Sequence, residues 1–313
     1  MHLLAAVMVL WLVCGLVVDL PYAQAGQSQA DWSPPQSEAA EAPPPLFAFA
    51  QSLFETGEYY RAVGEYQRFL FFQPQHALAS QAQLRIALAY FCGEQWLQAF
   101  EVFRQVTRMA ADPAVREAAA LWMAEALARR GRHEEALRGY RDVMAAYPGT
   151  PTAARAAYLL GWSHLWLRQW EEARQAFAAI PATSPYYASA QRLASVLDPP
   201  PALPQRSSTV ARILSTVLPG AGQIYNARML DGLIGLGVHA ALIAGTSAAI
   251  LAGLEGAGGI GAFFTWGFYR AQMGNAAADA RAFNVQAEED FIEQLAAREK
   301  RYLRAYLVSV PCA

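Results

Sequence analysis

From residue 46 to residue 197 the apolar positions of the chain recur with a period of 37. Ala62, Ala99, Ala136 and Ala173 mark the repeat, and an aromatic stands four residues after each, at Tyr66, Phe103, Tyr140 and Phe177. Seven residues after each alanine comes a further apolar side chain, Phe69, Val106, Val143 and Ile180; twelve before it stands a small one, Ala50, Ala87, Ala124 and Gly161. Offsets of four and seven place side chains on one face of a helix. Each unit is therefore predicted to be two antiparallel helices whose backbones cross at the two small residues, with the aromatic filling the groove to the next unit. Proline ends the unit at Pro74, Pro148 and Pro185, and is displaced to Pro113 in the second; without an N–H it cannot continue a helix.

Turn signals fall between the paired helices, at Thr56-Gly57-Glu58-Tyr59, Cys92-Gly93-Glu94 and Arg130-Gly131-Arg132-His133, and Tyr186–Leu197 reads as a fifth first helix that caps the stack. These offsets resemble the tetratricopeptide repeat, with three residues per unit beyond its usual ~34. Longer units of this kind look like those of bacterial cell-envelope proteins. The resemblance covers about half the chain and implies an all-α superhelix lined on its inner surface by first helices, with a partner protein bound there. By offset, the groove positions are Phe47, Gln51 and Phe54 from the first repeat and Gln81, Leu84, Leu88 and Phe91 from the second. The third gives Leu121, Glu125 and Arg129; the fourth gives Arg155, Tyr158, Trp162, Leu165 and Trp166. So apolar a surface suits an extended or helical apolar peptide. The competing reading is that the chain's own cap or C-terminal helix covers Trp162 and Trp166. An acidic tail would need several basic clamps, and only Arg129 and Arg155 offer themselves.

A different pattern begins after residue 208. Leu233–Leu254 is apolar apart from His239, Thr246 and Ser247, long enough to cross a bilayer core at ~1.5 Å per residue. Its Ala- and Gly-rich composition leaves a buried helical hairpin as the alternative. Small residues recur every fourth position from Gly237 through Ala241, Gly245, Ala249, Gly253 and Ala257 to Gly261, a ridge of the kind that lets helices approach closely in lipid. Glu255-Gly256-Ala257-Gly258-Gly259 offers a turn, and Ile260–Tyr269 returns with Phe263, Phe264, Trp266, Phe268 and Tyr269, like an interfacial aromatic belt. Just upstream, Pro219-Gly220-Ala221-Gly222-Gln223-Ile224-Tyr225-Asn226 resembles the opening of small two-helix bacterial membrane domains with a P-G-x-G-Q-x-Y-x-G motif, with Ala227 in place of the last glycine. As a phosphate loop the run fails, since it lacks the Lys-Ser/Thr pair and a preceding strand. Residues 209–275 are expected to form this membrane-associated hairpin, and 276–313 an amphipathic helix with a solvated charged face that folds back on the repeats or assembles with a second copy.

The amino terminus carries an apolar run, Leu3–Leu20, followed by Ala23 and Ala25, which fit an A-x-A cleavage site; residues 1–25 read as a signal peptide, with an uncleaved anchor as the alternative. Val13 before Cys14 is too large for a lipoprotein signal. Residues 26–45 and 198–208 are Pro-rich spacers flanking the 46–197 repeat domain. The expected location is therefore exported, in the cell envelope, although Arg212, Arg228 and Arg270 beside the hairpin argue the reverse by the positive-inside rule.

A net charge of −2 provides no field for nucleic acid. Cys92 and Cys312, left after cleavage, read as a small buried hydrophobe and a tail residue, forming neither a disulfide framework nor a metal site. His76, His133, His164 and His239 have no partner at ligand spacing, and His239 is expected in a hydrogen-bonded packing role. No nucleophile elbow occurs, so no catalytic residue and no cofactor is expected.

Overall fold

The computed structural model describes residues 43–304 and Cys312. The expected signal peptide and nearly all of the 26–45 spacer lie outside the described residues. Every regular element among the described residues is α-helical. Four helical pairs come first: α1 (Pro45–Glu55) with α2 (Tyr59–Phe72), α3 (Ala79–Cys92) with α4 (Trp96–Met109), α5 (Pro113–Arg129) with α6 (His133–Ala146), and α7 (Pro151–Trp166) with α8 (Trp170–Ala178). The cap is α9 (Tyr187–Val196). Pro113 is the first residue of α5, where its fixed φ suits the helix and its missing N–H leaves nothing unpaired. Asp112 and Thr150 cap α5 and α7 by accepting from the amides of Ala114 and Ala153.

The periodic positions form the core. Ala50, Ala62, Ala87, Ala99, Ala124, Ala136 and Ala173 are fully buried, as are Tyr66, Phe103 and Phe177. A methyl group on Gly161 would lie 2.5 Å from the Phe177 ring, so the crossing of α7 and α8 demands a residue without a side chain there. Each buried aromatic contributes on the order of 1.5–3 kcal/mol, which outweighs the weak helix propensity of these short segments.

After the Pro-rich linker come α10 (Ser208–Val217), α11 (Ala221–Tyr225), α12 (Met229–Leu251), α13 (Glu255–Arg298) and α14 (Lys300–Arg304). The P-G-x-G-Q-x-Y run is the knot that holds them. Gly220 has φ +92°, and a Cβ there would fall 2.0 Å from the Gly232 carbonyl oxygen. One on Gly222 would fall 2.1 Å from the Ala211 oxygen. Gln223 accepts from the Ser215 hydroxyl (3.2 Å) and donates to the Gln272 carbonyl (3.1 Å), while Asn226 donates to the Ala276 carbonyl (2.7 Å). The Tyr225 hydroxyl accepts from the Ser207 amide, and the Arg206 guanidinium lies over the rings of Tyr225 and Phe283.

The hairpin departs from the expected layout in three respects. Its turn falls at Ala252, Gly253 and Leu254, because Gly253 takes the left-handed position (φ +76°); Glu255–Gly259 is already the first turn of α13. The every-fourth ridge is not the seam between the helices, since a Cβ on Gly237 or Gly245 would meet nothing within 4 Å. The seam alternates by three and four instead: Gly235 meets Gln272, His239 meets Phe268, Thr246 meets Gly261 and Thr265, and Ile250 meets Gly258. A strict period of four drifts around the helix, whereas the 3–4 alternation stays on one face. Thirdly, no break separates hairpin from amphipathic helix, because α13 runs through residue 275 without interruption. His239 is buried in the seam between the rings of Phe268 and Tyr269, and neither ring nitrogen has a hydrogen-bond partner among the described residues. The contacts it makes there are with the two rings, where a hydrogen-bonded role was expected.

The 44 residues of α13 extend ~66 Å, from the tip of the hairpin into the repeat domain. The tail is fastened beyond it, for Cys92 and Cys312 form a disulfide that closes 220 residues of chain. This corrects the reading of Cys92 as an inert hydrophobe. In the chain-entropy picture a loop of that length is worth on the order of 5 kcal/mol relative to the reduced chain.

Candidate partner-binding groove

The expected groove residues stand on the first helices of the four pairs, α1, α3, α5 and α7, and most of them are buried. Phe47, Phe54, Leu88, Phe91, Leu121, Tyr158, Trp162 and Leu165 are buried, as are Glu125 and Arg155. Gln51, Gln81, Leu84 and Trp166 are half-buried, and Arg129 is exposed. Some serve the core directly. The Tyr66 hydroxyl donates to Gln51 (2.8 Å) and the Tyr140 hydroxyl to Glu125 (3.2 Å), in each case fifteen residues earlier. In the other two repeats the second-helix aromatic is Phe103 or Phe177, and the residue fifteen earlier is apolar, Leu88 or Trp162. A buried phenol requires an acceptor and a buried phenyl does not. Burial, with Glu125 adding to it at Tyr140, pushes both phenols above their ordinary pKa.

The fourth-repeat end of the groove is filled by the chain itself. Ile292 and Leu295 of α13 are buried in one cluster with Tyr158, Trp162, Tyr186 and Leu193, and Phe291 meets Trp170 edge-on. Three arginines of the repeat domain grip the incoming helix. Arg168, held at φ +60° in the turn between α7 and α8, pairs with Glu288 (2.6 Å) and Glu289 (3.1 Å). Arg192 of α9 pairs with Glu299 (2.8 Å), whose carboxylate also accepts from the Ser189 hydroxyl (2.7 Å). Arg155, buried beside the Tyr186 ring, donates to the carbonyl oxygens of Tyr302 and Leu303 at 2.6 and 2.9 Å. Those carbonyls belong to the short helix α14. Burial therefore follows the competing reading of Trp162 and Trp166, that the C-terminal helix covers them.

A cavity of about 390 Å³ remains between this helix and repeats three and four. Glu125, Arg129, Arg155, Trp162 and Trp166 line it, with Ala296 and Leu303 on the far side. His133 stacks on Trp166 at its rim (6.0 Å between ring centroids). Burial lowers the pKa of its imidazole, against a smaller upward pull from Glu125. The arrangement offers ring faces, a guanidinium and a carboxylate to a peptide. Among the described residues, no three His, Cys, Asp or Glu side chains are grouped to hold a metal ion.

Sequence reasoning missed Arg168, Ser189, Arg192, Glu299 and the Cys92–Cys312 pair. That Cys92 and Cys312 are two cysteines beyond the expected signal peptide was the signal that could have found the disulfide. Nothing in the spacing of the arginines marks them as clamps, since each contacts residues 107 to 148 positions away.

Comparison with known proteins supports the repeat assignment. Residues 118–150 and 155–185 match the family model described as the tetratricopeptide repeat. Among solved structures, a tetratricopeptide repeat protein from Parabacteroides merdae is 14% identical over 80% of this chain and 95% of that one, with a TM-score of 0.39. The TPR-like repeats of a Podosopora anserina putative kinesin light chain are 19% identical over 48% and 82%, also at 0.39. No curated protein matches the chain.

Proposed function

We propose that this tetratricopeptide-repeat chain is an exported, non-catalytic scaffold of the cell envelope, fixed at a membrane by α12 and the first part of α13 and holding a partner protein on its repeats. Tetratricopeptide repeats are an architecture of interaction scaffolds, typically without catalysis. The observation that carries the reading is the continuity of α13. One helix leaves an apolar hairpin and ends inside the repeat groove, so whatever the repeats hold is rigidly positioned relative to the hairpin.

Membrane residence is supported by what the hairpin exposes. Helix α12 is long and apolar enough to cross a membrane and is mostly exposed, and Leu251, Phe263, Phe264 and Trp266 project outward. The core helix of a soluble protein would bury such residues. The disulfide supports export, because such bonds persist in oxidising compartments. Of the expected groove positions, Gln51, Gln81 and Leu84 are half-buried and Arg129 is exposed, and these are the ones offered to a partner.

A photo-crosslinking amino acid at position 84, with position 141 on the outer face of α6 as control, tests the reading in cells. A discrete protein adduct at 84 and none at 141 is expected; equal labelling at both, or none at 84, would remove the adaptor function. A second reading is favoured by the outward-facing small residues Gly237 and Gly245, which have nothing within 4 Å of a Cβ position. Faces of that kind associate in lipid, which suits an integral component of a transport or assembly complex whose repeats serve oligomerisation.

A further inference from the structure

We propose that the hairpin of α12 and α13 carries a cleft for an uncharged, lipid-soluble ring compound with carbonyl or hydroxyl groups, the chemistry of a quinone and its quinol, seated against His239. This rests on the membrane reading of the hairpin and adds a ligand to it.

The cleft has a volume of about 640 Å³, within the range of small-ligand sites. His239, Thr246 and Ser247 of α12 line one wall, and Thr265, Trp266 and Tyr269 of α13 the other. From His239 to Thr246 it runs about 10 Å along the helix. None of the residues that line it carries a formal charge. The phosphate or ammonium of a phospholipid head group would therefore be unpaired there, away from water, which is costly. Polar groups are nevertheless gathered in it, in a segment that is otherwise apolar.

His239 is 2% exposed, and neither ring nitrogen has a hydrogen-bond partner among the described residues. Buried polar groups are normally paired. A neutral imidazole offers one N–H donor and one acceptor, which suit a quinone carbonyl and a quinol hydroxyl in turn. The rings of Phe268 and Tyr269 flank the imidazole, so binding turns its edge toward the cleft. Trp266 and Tyr269 stack on each other along the opposite wall, 6.1 Å between centroids, and aromatic faces favour a planar ring over a branched chain. Outside the cleft both helices expose apolar side chains, among them Ile234, Phe263 and Phe264, so the ligand enters from lipid and leaves its alkyl chain there.

The test uses the full-length protein in nanodiscs of phosphatidylethanolamine and phosphatidylglycerol, with an azidobenzoquinone bearing a decyl chain as photolabel and decylubiquinone as competitor. Label is expected within residues 239–247 or 262–269, and excess competitor is expected to suppress it. His239→Leu removes both ring nitrogens, and Ser247→Phe fills the cleft from an exposed position. Each is expected to weaken competition by decylubiquinone about tenfold, the worth of one good contact. In protein carrying isotope-labelled histidine, the His239 ring signals, identified by their absence from His239→Leu, are expected to shift when decylubiquinone is added; a ring that only packs would not respond. Labelling that excess competitor leaves unchanged, equal competition in wild type and Ser247→Phe, or unmoved ring signals would each overturn the proposal. Ser247→Phe keeps the outcome readable if His239→Leu disturbs folding. Incorporation into the nanodisc reports membrane residence by itself, so failure of that reading and failure of this inference register separately.

Discussion

At the residue scale, the groove shows how one face of a repeat serves two masters. Gln51 and Glu125 stand where a partner-contacting side chain was expected, yet each is the acceptor for a buried tyrosine of its own repeat. The pairing was legible in the sequence, since Tyr goes with Gln or Glu and Phe with Leu or Trp at a separation of fifteen, but only a reason to compare those positions would have revealed it. His133 is the residue with the clearest pH consequence. Its folded pKa lies below the unfolded value of about 6.5. Above that value both states are neutral and nothing is lost. As pH falls below it the unfolded chain takes up a proton that the folded chain resists, so stability declines toward the folded pKa. Urea midpoints are expected to fall between pH 7.5 and pH 5.5 by more in the wild type than in His133→Gln; parallel curves would show that the imbalance lies elsewhere.

At the element scale, the glycines of the hairpin separate into two classes that composition does not distinguish. Gly220 and Gly222 lie where another backbone approaches to within a hydrogen-bonding distance of the absent Cβ, whereas Gly237 and Gly245 face open space. Gly220→Ala adds a steric clash to a positive φ and is expected to cost more than ~1 kcal/mol. Gly237→Ala and Gly245→Ala are expected to be neutral or to stabilise by up to ~1 kcal/mol through helix propensity. Thermal unfolding in detergent orders the three; a Gly237 variant as damaging as the Gly220 one would mean that the ridge is covered by a second helix. The element boundaries were legible where a glycine marked the turn, as at Gly57, Gly93 and Gly131. The hairpin turn was not, because several glycine-rich stretches compete there and the one that turns is chosen by the α12–α13 seam.

At the scale of the whole molecule, the C-terminal helix makes the repeat domain and the hairpin mutually dependent. Deleting residues 206–313 would expose Tyr158, Trp162 and Leu193, and remove Ile292 and Leu295 from the same cluster. Each of those two side chains contributes on the order of 1.5–3 kcal/mol. The truncated repeat domain is therefore expected to unfold at a lower temperature than the full chain. Equal melting of the repeat signal in both would show that the cap suffices to close the stack.

The amino-acid sequence by itself determined the all-helical class, the 37-residue repeat, its crossing residues, the cap and the existence of an apolar C-terminal helix. All of these follow from side-chain size and periodicity within a helix turn or a single helix pair, where residues that meet are close in the chain. Only the tertiary structure decided that the groove is occupied, by which helix, through which arginines, and that Cys92 reaches Cys312. Those contacts join residues more than a hundred positions apart, and their specificity lies in the relative placement of the repeat stack and the long helix α13, a geometry that no local pattern encodes.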